Sequence, residues 1–130
     1  TAPPAVLFDD ERSLYMREYA YRMTQIALRD GRPYRKALLE QISQPDRRYD
    51  LFLESTVLGS GRWAHIPVRD DSASPVHARI KKIDNRFVIY DLLSAAGVYV
   101  NGRKLLRPRA LNEGDEVRIG RIKFRFRGMP

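Results

Sequence analysis

The sequence predicts a mainly β protein: an antiparallel β-sandwich with an N-terminal helical extension. Three observations predict it. Apolar residues recur every three to four positions before residue 45, and every second position from Tyr49 onward. The second region is punctuated by Asp84-Asn85, Asn101-Gly102 and Gly120-Arg121, pairs suited to tight hairpin turns. Its strand-like runs are short and numerous, which suits a sandwich or barrel and not a parallel sheet. The chain therefore divides into an extension, residues 1–48, and a β domain, residues 49–130.

Residues 9–44 read as two helices. Asp9 or Asp10 can cap the first, and Glu11 suits the positive end of its dipole. Met16, Ala20, Met23 and Ala27 follow helical spacing, joined by Tyr19 and Ile26, and Leu14, Tyr21 and Leu28 widen the apolar face. Asp30-Gly31 ends this helix. Pro33 then suits the first turn of a second helix, with Tyr34, Leu38 and Ile42 as its stripe and Pro45 beyond its end. Tyr19, Met23, Ile26 and Leu38 are too apolar for a free surface, so both helices are expected to dock on the sandwich. A helix that instead binds a partner or a second copy is the other reading.

The β region reads as "YDLFLES", "HARIKKI", "RFVIYDL", "VYVNG", "EVRIG" and "RIKFRFR". Asn101-Gly102 is its strongest turn, because a type I′ turn needs two positive φ angles and this pair tolerates both. In the last run Lys123, Arg125 and Arg127 alternate with Ile122, Phe124 and Phe126. That alternation reads as a sheet with its apolar face inward and its cations in water.

Composition excludes several classes. With 43% hydrophobic and 31% charged residues, the 130-residue chain is globular. It contains no cysteine, which removes disulfides, thiolate metal sites and cysteine nucleophiles. Its two histidines are far apart and lack carboxylates at ligand spacing, so neither a metal nor any other cofactor is expected. No apolar run approaches the ~18–20 residues of a membrane span, and there is no signal-peptide pattern. A chain that opens on Thr reads as a piece of something longer, which leaves an upstream anchor open. The expected location is the cytoplasm, or the cytoplasmic part of a larger, membrane-anchored protein. The net charge is +8, and most of the excess lies after residue 49.

"SASPVHARI", residues 72–80, carries a Ser-x-x-His pair. Catalysis would require an oriented base, a nucleophile elbow or oxyanion donors, and none is legible. No catalytic residue is assigned. The pair instead belongs to a longer pattern. Leu58-Gly59-Ser60-Gly61-Arg62 precedes Ser74-Pro75-Val76-His77. Then come Ser94-Ala95-Ala96-Gly97-Val98-Tyr99-Val100-Asn101-Gly102, and Leu111-Asn112-Glu113-Gly114-Asp115-Glu116-Val117 with Gly120. In order and spacing, residues 50–127 resemble a forkhead-associated (FHA) domain.

The resemblance implies an eleven-stranded sandwich with ligand loops at one end. It implies no enzyme but a protein-interaction module whose family binds phosphothreonine peptides. Asn101, Gly102, Gly114 and Asp115 take structural places, and His77 becomes a brace for the loops. The strand count implies two strands where Tyr49–Leu58 has room for little more than one, and "AVLF", residues 5–8, is the candidate for the missing edge strand.

The family's phosphate site maps onto Arg62, Ser74, Ser60, Ala96 and Gly97 with substitutions. Ser74 keeps the phosphate serine and Gly97 keeps the turn. Pro75 removes a side-chain donor and an N–H. Ala96 stands where the family has asparagine, and Val98 where it has threonine. Counting back from Ile66 puts Ser60 in the place of the phosphate arginine. The alternative register makes Gly61-Arg62 the turn, with Arg62 as the phosphate ligand. Trp63 either packs on the loop base or stands out as an anchor.

The expected partner is a protein, with a threonine-phosphorylated peptide as one form of it. A different class is a basic adaptor for anionic membrane or nucleic acid. Nucleic acid is disfavoured because the aromatics of residues 122–127 lie on the face opposite the cations.

Overall fold

The structure, a computed structural model, describes residues 11–130, with side chains from residue 17 onward. A helix, α1 (Glu11–Asp30), precedes eleven strands. They are β1 (Lys36–Gln41), β2 (Arg48–Asp50), β3 (Ser55–Gly59), β4 (Ile66–Pro67), β5 (Ala78–Ile83) and β6 (Arg86–Asp91), followed by β7 (Tyr99–Val100), β8 (Arg103–Lys104), β9 (Arg109–Leu111), β10 (Glu116–Ile119) and β11 (Ile122–Met129). One sheet has the order β2-β1-β11-β10-β7-β8 and the other β4-β3-β5-β6-β9. Pairing is antiparallel except that β4 runs parallel to β3, with Leu58 opposite Ile66 and Gly59 opposite Pro67.

The turn chemistry acts as its residue types require. Asp84 and Asn85 have φ of 50° and 61°, and Asn101 and Gly102 have 52° and 81°, the pattern of type I′ hairpins. The β10–β11 turn needs Gly120 doubly. Its φ is 61°, and a Cβ there would lie 2.3 Å from the Asp70 carboxylate.

The core lies between the sheets. Leu39, Val117, Ile119, Phe124 and Phe126 face Leu58, Ile80, Phe87, Ile89 and Leu111, all fully buried. Phe126 contacts the rings of Phe87 and Tyr34, each with centroids 5.6 Å away. Full burial of each such side chain contributes roughly 1.5–3 kcal/mol. The cations Lys123, Arg125 and Arg127 of β11 point outward. Arg125 donates to the Gly114 carbonyl at 2.9 Å, and Arg127 pairs with Glu113 at 3.1 Å.

Two expectations are corrected. There is one helix, not two, because Lys36–Gln41 is strand β1. It pairs with β11 from Lys36↔Met129 to Gln41↔Phe124, and with β2 on its other side. It supplies the strand that residues 49–58 had no room for, since that stretch contributes only the end of β2 and β3. The sandwich therefore begins near residue 34, inside the stretch assigned to the extension. The edge strand considered at residues 5–8 lies outside the described residues.

Docking of α1 is partial. Its second half lies on the outer face of the five-stranded sheet, against β6 and β9. Ala27 is buried, and Met23, Ile26 and Leu28 are half-buried. Residues 17–22, including Tyr19 and Tyr21, are exposed. Thr24 and Tyr90 share a hydroxyl–hydroxyl hydrogen bond of 2.9 Å. At the helix end, Asn112 Nδ2 donates to the Asp30 carbonyl, and Arg32 N–H donates to Asn112 Oδ1. Gly31 then passes so close to β9 that a Cβ would sit 2.8 Å from that of Ala110.

Candidate functional site

Strand directions gather the loops 60–65, 68–77, 92–98 and 105–108 at one end of the sandwich, together with the Gly120-Arg121 turn. The first two are sewn together by backbone. Ser60 N–H donates to the Ser74 carbonyl at 3.0 Å, and Gly61 N–H to the Pro75 carbonyl at 3.1 Å. The approach is possible only because residue 59 is glycine: a Cβ there would lie 2.1 Å from the Pro75 oxygen.

His77 joins this pair of loops to the third. Its side chain is 0% exposed. Nδ1 accepts from Ser74 N–H at 2.9 Å, and Nε2 lies 2.8 Å from the Gly97 carbonyl. An Nδ1 that accepts leaves the ring proton on Nε2, which donates to Gly97. Both ring nitrogens are thereby spent on backbone, and the backbone of His77 itself bonds Leu58 and Leu92. No nitrogen is left to serve as a base.

The loop 92–98 has its own frame. The Asp91 carboxylate accepts from Ser94 N–H at 3.0 Å and Ser94 Oγ at 2.6 Å, and Ser94 Oγ accepts from Gly97 N–H at 3.0 Å. Gly97 holds φ at 83°. The Lys104 stem crosses its open face, with Cε 3.2 Å from where a Cβ would stand. Sequence spacing did not single out Lys104. Only the β7–β8 register, Tyr99↔Lys104, brings it there.

The phosphate-site residues fall as follows. Strand β3 ends at Gly59, so Ser60 is the first loop residue and Arg62 the third. Ser60 Oγ donates to the Ala73 carbonyl at 2.8 Å. The Arg62 guanidinium lies 5.3 Å from the centre of the Trp63 ring, and Trp63 is 83% exposed. Among the described residues neither the Arg62 guanidinium nor Ser74 Oγ has a hydrogen-bond partner. Ser74 and Ala96 are half-buried. A hollow of about 240 Å³ opens beside Ser60, with Arg62 and Arg69 on its wall.

The Asp70 carboxylate joins the loop 68–77 to the Gly120-Arg121 turn. Asp70 accepts from the Ser72 hydroxyl, from Arg121 Nε at 3.1 Å and from Ser72 N–H at 3.1 Å. These bonds, the Ser72 hydroxyl foremost, hold its pKa at about 2, below the ordinary 3.8.

Asn101, Gly102, Gly114 and Asp115 lie at the opposite end. Asn101 Nδ2 donates to Asp115 Oδ1 at 3.0 Å, while Asn101 Oδ1 accepts from Glu116 N–H and Asp115 Oδ2 from Asn112 N–H. Asn101 and Asp115 tie the β7–β8 turn to the β9–β10 turn, Gly114 N–H donates to the Phe126 carbonyl, and none of the four joins the ligand loops. Among the described residues no three His, Cys, Asp or Glu converge as metal ligands, and no helix is long and apolar enough to cross a membrane.

Comparison with known proteins agrees with this geometry. The family model of the FHA domain matches residues 56–120. The glycogen accumulation regulator GarA of Mycobacterium tuberculosis is 31% identical over 99 residues, 75% of this chain and 60% of that protein. The chain thus spans about 60% of the length of that relative. Among solved structures, EmbR of Mycobacterium tuberculosis in complex with a low-affinity phosphopeptide is 28% identical with a TM-score of 0.70, over 81% of this chain and 29% of that one. An FHA domain from Chlamydia trachomatis is 28% identical with a TM-score of 0.67, over 73% and 99%.

Proposed function

The chain belongs to the FHA family, and from that premise we propose that its loop end binds a protein partner with phosphothreonine recognition weakened or lost. Solved FHA structures include phosphothreonine-dependent complexes, so a protein-interaction module is the function the fold carries. Phosphate recognition needs a guanidinium, hydroxyl and N–H donors, and an amide to hold the peptide backbone.

The observation that carries the reading is the occupant of the first position after β3. Ser60 stands there, and its hydroxyl is already committed to the Ala73 carbonyl. Ala96 adds no amide. What remains is Ser74 Oγ and the turn framed by Gly97. His77, buried and spent on backbone, serves the loops and not a reaction, so the module is read as non-catalytic. The proposed location is the cytoplasm or the cytoplasmic side of a larger protein.

The test is a phosphothreonine peptide library with unphosphorylated controls. The wild type should bind both alike. Ser60→Arg with Ala96→Asn should raise phosphate-dependent affinity by roughly 2–6 kcal/mol. A second reading rests on one observation: the Arg62 guanidinium, which has no hydrogen-bond partner among the described residues, flanks the hollow beside Ser60. Micromolar, phosphate-dependent binding by the wild type that Arg62→Ala abolishes would establish Arg62 as the phosphate ligand and overturn the first reading.

A further inference from the structure

The stretch from Leu92 to Asn112 contains four cations, Arg103, Lys104, Arg107 and Arg109, and no Asp or Glu. All four are exposed. Among the described residues none of them is held in an ion pair. The same stretch puts two leucines into water: Leu93 is 98% exposed and Leu106 87%. Leu93 also has a φ of 56°. A bulky side chain in the left-handed region is strained, and such strain persists only where surrounding structure enforces it. Here the enforcement is the Asp91–Ser94 turn. The chain thus holds an apolar side chain in solvent at a conformational cost.

The segment 105–108 is a ridge between two hollows. One, of about 210 Å³, has Leu93 and Tyr90 on its far wall. The other, of about 480 Å³, has Ile26 and Ala27 of α1 opposite, and Arg103, Lys104 and Arg109 also line it. Leu106 and Arg107 line both. Asp30 and Asp91 stand at the walls, one to each hollow, and leave the cations in excess.

We propose that this ridge and its hollows form a second docking surface, for an acidic segment of a partner protein that carries a large apolar side chain. The apolar side chain seats between Leu93 and Leu106. Flanking carboxylates meet the guanidiniums of Arg103, Arg107 and Arg109, whose planar forks suit them. Concave walls on both sides of a narrow ridge fit an extended peptide better than a flat bilayer. The surface uses neither Ser60 nor Ser74, so it needs no phosphate; it shares the loop 92–98 with the loop site, and the Ser60→Arg/Ala96→Asn variant, which should leave its affinity unchanged, tells the two apart.

The test selects phage-displayed random dodecapeptides on the intact chain, with counter-selection on the Leu93→Ser/Leu106→Ser variant. The substituted side chains are exposed, and circular dichroism checks that the variants fold. Enriched peptides should combine Asp or Glu with Leu, Ile or Phe. Their synthetic forms should lose about tenfold or more in affinity on Arg107→Glu or Leu106→Ser. Lys123→Glu, the same charge change elsewhere, should alter it by less than about twofold. Failure to enrich any sequence overturns the proposal, as does enrichment without acidic residues. Co-sedimentation with phosphatidylglycerol vesicles that the double leucine variant abolishes would also overturn it, in favour of a membrane surface.

Discussion

Single residues carry more of this loop end than their size suggests. His77 is one imidazole joined to two backbone groups on two loops. Replacing it with alanine leaves the Ser74 N–H and the Gly97 carbonyl unsatisfied beside a cavity. The expected loss is about 2–5 kcal/mol, read from denaturant unfolding. Unchanged stability of His77→Ala would remove the brace. Asp70 gives a pH signature. Its carboxyl is held at about 2 against an ordinary 3.8, so its contribution to stability is complete above about pH 4. That contribution fades as the pH falls toward 2, when the folded form must also take up the proton. Between these limits the wild type should lose stability more steeply than Asp70→Asn. Parallel acid profiles for the two proteins would show the network to be idle. Ser74, His77 and Gly97 were legible because their spacing repeats a family pattern. The need for glycine at residue 59 was not, because it arises from a carbonyl sixteen residues away in sequence. Nor was Asp70, whose partner Arg121 lies across two loops.

At the level of elements, β1 shows where sequence reading fails and why. "KALLEQ" is built of good helix formers, and Pro33 before it suits a helix start. Partners on both sides override that preference. The burial does alternate, with Ala37, Leu39 and Gln41 inward. Half-buried Leu38 beside Leu39, and a polar residue at the inward position 41, hide the alternation from a hydropathy pattern. The helix α1 was legible in type and in where it ends, although Gly31 does not take the left-handed conformation of a glycine stop. How much of it docks was not legible, since the same stripe runs through docked Ala27 and exposed Ala20. Hydrogen exchange should divide it: amides of residues 24–30 slow, those of residues 17–22 fast. Uniform protection along the helix would contradict the partial docking. A methyl group at Gly31 would collide with Ala110 of β9. Gly31→Ala should therefore speed exchange in residues 24–30 while leaving β10 and β11 protected.

On the scale of the whole molecule, the two ends of the sandwich divide the labour. The Asn101–Asp115 end is closed by side-chain bonds to backbone and to each other. The opposite end holds Trp63, Leu93 and Leu106 in water. Asn101→Ala should thus lower stability by about 1–3 kcal/mol in thermal or denaturant unfolding while leaving peptide binding intact. Loss of binding without loss of stability would contradict that division. The strand order has a further consequence, in time. Lys36 meets its partner Met129 only after some ninety more residues have left the ribosome. The β5–β6 and β10–β11 hairpins close over two-residue turns and can form as they emerge. The first strand must wait for the last, with its apolar side uncovered meanwhile. Non-local closures of this kind make folding slow and leave the unfinished chain prone to association. During synthesis the vulnerable segment is therefore residues 36–41, and it is there that a chaperone has something to hold.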